Sequence, residues 1–118
     1  MTIAIFGKFH YTADMPRRNY PISITINQIA IRTVIIDDHY EEKHSSTIND
    51  ELILKLVQTL DQKLFEPVDV KRPYSYFVTD QMEYNHHHYK LIWLLEEDEI
   101  YIGVVNAYRR GTKQREGE

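Results

Sequence analysis

Two stretches of this chain carry the residue types that proton transfer and phosphate chemistry require. The first is His39-Tyr40-Glu41-Glu42-Lys43-His44. On a helical repeat His39 and Lys43 share one face, and Tyr40 and His44 the next. Histidine moves protons near neutral pH, and a lysine beside it stabilises a developing anion. The competing reading is a solvated leader to a helix in which neither histidine acts. The second stretch is Asn106-Ala107-Tyr108-Arg109-Arg110. Adjacent residues on a strand project to opposite faces, so one arginine can face the helix side and the other the open face. The planar fork of arginine gives phosphate paired, charge-assisted hydrogen bonds. Here the competing reading is a strand terminus whose arginines snorkel into water.

Other chemistries are poorly served. His86-His87-His88 cannot all aim at one metal from one strand, since alternate residues point apart. His86 and His88 could share a metal only with an outside carboxylate, and no spaced histidine–carboxylate motif supplies one. The triplet is expected to be a solvated hairpin turn, and neither a metal nor any other cofactor is expected. The absence of cysteine removes thiolate ligands, a cysteine nucleophile and disulfides. Gly7, Gly103, Gly111 and Gly117 stand alone, so there is no phosphate-cradling glycine loop and no Gly-x-Ser-x-Gly elbow. The nine tyrosines read as packing residues, although Tyr74, Tyr76 and Tyr101 could line one sheet face.

The elements that must position these residues follow from hydrophobic periodicity. Ile48, Leu52, Ile53, Leu56, Val57 and Leu60 form one helical stripe. Asn49 is its N-cap, Asp50 and Glu51 complement the helix dipole, and Ile48 and Ile53 are placed to form a staple. A helix over 49–62 is therefore predicted. Ser23 to Ile26 and Ile29 to Ile36 predict a hairpin over 22–36, turning at Asn27-Gln28. Tyr74 to Thr79, Tyr89 to Glu96 and Ile100 to Tyr108 predict a three-stranded meander within 74–110. Its middle strand is apolar on both faces, hence central. On the last strand Ile100, Ile102 and Val104 are expected to share a face with Asn106 and Tyr108. Residues 1–21 read as an irregular leader with a short strand candidate at Thr2 to Phe6, and 111–118 as a mobile tail. The expected whole is a single α+β domain over 1–118. One main amphipathic helix packs on a mainly antiparallel sheet of four to six strands, with 37–62 as polar lead and helix.

The net charge of −4 is unevenly placed. Residues before Asp37 carry Lys8, Arg17, Arg18 and Arg32 against Asp14 alone. From Asp37 to Asp69, nine acids stand against Lys43, Lys55 and Lys63. Both ends are basic and the middle is acidic, either a mixed solvated surface or a basic pole able to hold an anion. The longest strongly apolar run, Leu91 to Leu95, is five residues, which is strand length and far short of a membrane span. Residues 1–9 lack the pattern of a signal peptide. Cytoplasm without membrane association is the expectation.

The histidine-bearing lead His39-Tyr40-Glu41-Glu42-Lys43-His44-Ser45 runs into the helix. Tyr89-Lys90-Leu91-Ile92-Trp93 and Asn106-Ala107-Tyr108-Arg109-Arg110 follow. Together they resemble the RelE-type and barnase-EndoU-colicin-RelE group of small metal-independent ribonucleases, over about residues 37–110. The group includes many toxins of bacterial toxin–antitoxin pairs and phage-associated effectors. The resemblance implies RNA cleavage by 2′-hydroxyl attack. His44 or His39 would act as general base or acid, and Arg109 or Arg110, with Lys43, would stabilise the charge that builds on the phosphate oxygens. Tyr108 would orient the phosphate or donate a proton, and Lys43 and Asn106 would bind substrate. It also implies RNA and an antitoxin or other protein as partners. The acidic charge and the doubly apolar strand fit a different class as well, a non-catalytic protein-binding or immunity-type module that uses its sheet face or edge.

Overall fold

The β-branched residues flanking Asn27-Gln28 pair as an antiparallel hairpin of β1 (Arg17–Ile26) and β2 (Ile29–Asp37). Both turn residues have positive φ, 51° and 68°, as a two-residue turn matched to strand twist requires. Asn27 is also clamped from the side. Its Oδ1 accepts from the Phe65 amide at 2.6 Å, and its Nδ2 donates to the Phe65 carbonyl at 3.1 Å. The computed structural model describes residues 17–37 and 47–111, so the strand candidate at residues 2–6 and nearly all of the expected tail lie outside the described residues. Residues 17–21 are strand and not leader. Pro21 is tolerated because β1 is a sheet edge, and a register shift between Pro21 and Ile24 absorbs the irregular segment.

Helix α1 (Asp50–Gln58) starts where the sequence predicts, with Asn49 Oδ1 accepting from the Leu52 amide at 2.8 Å. It ends earlier than residue 62. The amides of Thr59, Leu60 and Asp61 bond three residues back, a tightened last turn, and Gln62 then turns at φ 66°. Ile48, Ile53, Leu56, Val57 and Leu60 are buried, whereas Leu52 lies half-buried at the rim.

The remaining strands are β3 (Asp69–Lys71), β4 (Tyr74–Tyr84), β5 (His87–Glu96) and β6 (Tyr101–Arg109). They complete a six-stranded sheet in the order β1-β2-β6-β5-β4-β3, in which β2 and β6 run parallel and the other neighbours antiparallel. The expected α+β fold is therefore overturned. Strand takes 62% of the described residues and helix 10%, and the one described helix is a nine-residue element serving a mixed sheet. The excess of strand has a physical origin. β4 continues past Thr79 because a bulge at Asp80-Gln81, with Gln81 at φ 55°, takes up the break in alternation. Asn85-His86 then makes a second positive-φ turn into β5. β3 has no apolar alternation and exists only because it pairs with Tyr74 to Tyr76.

One face of the sheet, with α1, forms the main core around Trp93. The Trp93 ring stacks on Phe77 at 4.1 Å between centroids and meets Phe65 edge-on at 5.3 Å. Its Nε1 donates to Thr79 Oγ1 at 2.9 Å. The other face carries a smaller cluster of Leu94 with Tyr74, Tyr76, Tyr101 and Val105.

Candidate functional site

Strand direction decides which residues can meet. β6 pairs with β2 as far as Ile36↔Val104 and then runs on to Arg109, about 16 Å further at 3.3 Å per residue. β1 is antiparallel to β2, so Arg17 and Arg18 lie opposite Asp37 and Ile36 at that same end. The helix starts there too. Arg18 donates to Asp50 through Nε at 2.5 Å and Nη2 at 3.0 Å, and the Tyr20 hydroxyl donates to Asp50 Oδ2 at 2.5 Å. The other end of the helical segment is fixed at the far end of β1, where Asp61 Oδ1 accepts from the Thr25 amide. The N-terminus of α1, the exit of β2 and the end of β6 therefore share one end of the molecule. The start of β5, with His87 and His88, joins them through Glu83↔His88 and Tyr89↔Arg109.

Among the residues expected to act, Tyr108, Arg109, Arg110 and Asn106 are described. His39, Lys43 and His44 lie outside the described residues, although the flanks of their segment, Asp37 and Thr47, are described. Arg110 Nε pairs with Asp80 Oδ1 at 3.1 Å, and its amide donates to the His88 carbonyl. Both side chains of that pair are more than a third exposed. The pair is therefore a positioning contact worth little in stability. Arg109 is exposed beside the buried Tyr89. Lys90 Nζ sits 5.5 Å from the centroid of the Tyr108 ring, a cation over an aromatic face. Asn106 Oδ1 accepts from the Ala107 amide at 2.9 Å, so that oxygen is engaged by its own strand beside the bulge at Val105.

The faces differ from the expected alternation. The register of β6 against β5 slips between Ile92 and Trp93, so that Trp93 faces Val104 and Ile92 faces Asn106, with Val105 the extra residue. Ala107 thereby joins Ile102 and Val104 in the main core, which Asn106 and Tyr108 were expected to share. A bulge is invisible to a count of alternating residues, because it inserts one residue without changing composition.

Lys90 and Asp80 were not picked out from the sequence. Lys90 adjoins the apolar run Leu91 to Leu95 of β5, which is the one signal available, and its meeting with Tyr108 depends on register alone. The three tyrosines named for a sheet face do gather around Leu94. Tyr101 donates to Glu96 Oε1 at 2.6 Å, and burial, then this bond, push its hydroxyl pKa up. Burial also raises Tyr74 and Tyr76. Among the described residues no group of three or more His, Asp or Glu side chains is arranged to hold a metal. No described helix is long and apolar enough to cross a membrane. Compared with known protein families, curated proteins and solved structures, the chain matches none.

Proposed function

We propose that this protein is a metal-independent endoribonuclease of the toxin type, acting in the cytoplasm and held in check by an antitoxin or other protein partner. The observation that carries the reading is the parallel pairing of β2 with β6. β2 ends at Asp37, just before the segment that bears His39, Lys43 and His44, alongside the strand that runs on to Tyr108 and Arg109. The described residues resume just before the helix N-terminus, at the same end. In this reading His44 or His39 takes the proton of the RNA 2′-hydroxyl, and the 2′-oxygen attacks the adjacent phosphorus. The 5′-oxygen leaves with a proton from the other histidine or from Tyr108, and a 2′,3′-cyclic phosphate remains. Arg109, Lys43 and the terminal nitrogens of Arg110 hold the charge that builds on the phosphate oxygens. Tyr108 and Asn106 orient the substrate.

The test is cleavage of an end-labelled RNA in the presence of a chelator. Cyclic-phosphate ends should form with the native protein, and His44→Ala and Arg109→Ala should each abolish them without unfolding the protein. Full cleavage by both variants would remove this site. A second reading, a non-catalytic protein-binding or immunity-type module, is favoured by β3, whose three residues are all exposed at the sheet edge. Expression alone separates the two, because a ribonuclease toxin should slow growth of its host and a binding module should not.

A further inference from the structure

The end of the sheet opposite the arginines is built differently. Ile29, Leu64, Val68, Val70 and Ile100 all lie there and are between 43% and 72% exposed. Three turns are tied together at this end. The Glu97 amide donates to the Pro73 carbonyl, the Arg32 amide to the Ile100 carbonyl, and Asn27 clamps Phe65. Between them a groove of about 510 Å³ opens onto the core face of the sheet, floored by Ile29, Pro67, Val70, Pro73, Phe77 and Leu95. Of these, Ile29 and Val70 line the groove, and exposed apolar side chains at a concave site mark an interaction surface rather than ordinary surface scatter.

We propose that this groove docks an extended segment of a partner protein that alternates apolar and basic side chains. The extended form follows from β3. That strand ends the sheet, so its outer N–H and C=O groups have no strand partner among the described residues. Its Val70 side chain lines the groove. The basic requirement follows from the rim. Glu96, Glu97 and Asp98 line the groove against Arg72 alone, and Arg72 is already bound to Glu97 at 2.9 Å. Glu66 and Glu99 flank the lining residues, as do Asp69 and Lys71, which pair with each other at 3.7 Å, and among the described residues Glu66, Asp98 and Glu99 enter no ion pair. Apolar residues of the segment fill the floor while its lysines or arginines meet this rim. The inference extends the second reading and stands independently of RNA cleavage.

Three fluorescein-labelled ten-residue peptides test it by anisotropy on the full chain: alternating Val and Lys, alternating Val and Glu, and alternating Ser and Lys. The Val/Lys peptide should bind at least about tenfold more tightly than either of the others. Val70→Asp, at an exposed position, should weaken it about tenfold. So should Asp98→Asn combined with Glu99→Gln, in which asparagine tolerates the positive φ of residue 98. Arg109→Ala should leave this binding unchanged. Equal binding of the Val/Lys and Ser/Lys peptides would mean bare charge attraction and overturn the groove. Preference for Val/Glu would leave a protein-binding surface but overturn the basic partner. Binding of none of the three, or indifference to Val70→Asp in a variant with a native thermal transition, would overturn the proposal entirely.

Discussion

Arg18, Tyr20 and Asp50 tie the first strand to the start of the helix, and the tie has a measurable consequence. Asp50 receives a bidentate arginine and a tyrosine hydroxyl while its own side chain is only 18% exposed. Asp50→Ala should therefore destabilise the fold by about 1–3 kcal/mol, the range for hydrogen bonds to a charged, partly buried group. A shift of the urea midpoint at unchanged slope would measure it. Thr79 offers a second test at this scale. Thr79→Val removes the acceptor of the fully buried Trp93 N–H and should cost about 1–3 kcal/mol. Trp93 is the only tryptophan, so its fluorescence reports the same site directly.

Helix α1 is short, and its stability comes from what it buries. Leu56 is fully buried beside Ile53 and Val57. Leu56→Ala should cost about 2–5 kcal/mol by leaving a cavity, and Asn49→Ala about 1 kcal/mol by removing the cap on Leu52. Equal costs for the two in thermal melts would contradict the view that packing dominates capping here. The strands behave in the opposite way. Each of the β1–β2, β4–β5 and β5–β6 pairs carries one register shift, so their lengths exceed what uninterrupted alternation would allow.

Over the whole molecule, alkaline pH should destabilise this fold. Tyr20 is raised above the ordinary 10.0 chiefly by its bond to Asp50, and Tyr74, Tyr76 and Tyr101 chiefly by burial. A group whose pKa rises on folding keeps its proton in the native state after the unfolded chain has lost it. Its contribution is complete below pH about 10 and is lost as the pH climbs through the native value. Urea stability should be flat from pH 8 to about 9.5 and fall above that. Tyr101→Phe should blunt the fall, and an unchanged slope in that variant would contradict the assignment. Metal should matter little. Elemental analysis of protein purified without metal-affinity steps should find no stoichiometric transition metal, and the proposed RNA cleavage should persist in the presence of a chelator.

Local chemistry was legible in the residues themselves. Asn49 followed by two acids and a 3.6-residue stripe specifies where a helix starts and which side it buries, and these signals need no information from distant chain. The doubly apolar run from Leu91 to Leu95 likewise declares a strand with two covered faces. Register, order and direction are different in kind, because they are set by pairing between residues far apart in sequence. Only the tertiary structure put β6 parallel to β2, made β3 out of residues with no strand pattern, and turned an expected α+β protein into a mainly β one. It alone shifted Ala107 into the core through the bulge at Val105 and engaged Arg110 with Asp80. The arginines themselves could be read from the sequence. Which end of the sheet they occupy could not, since a strand has the same pattern in either direction until a neighbour pairs with it.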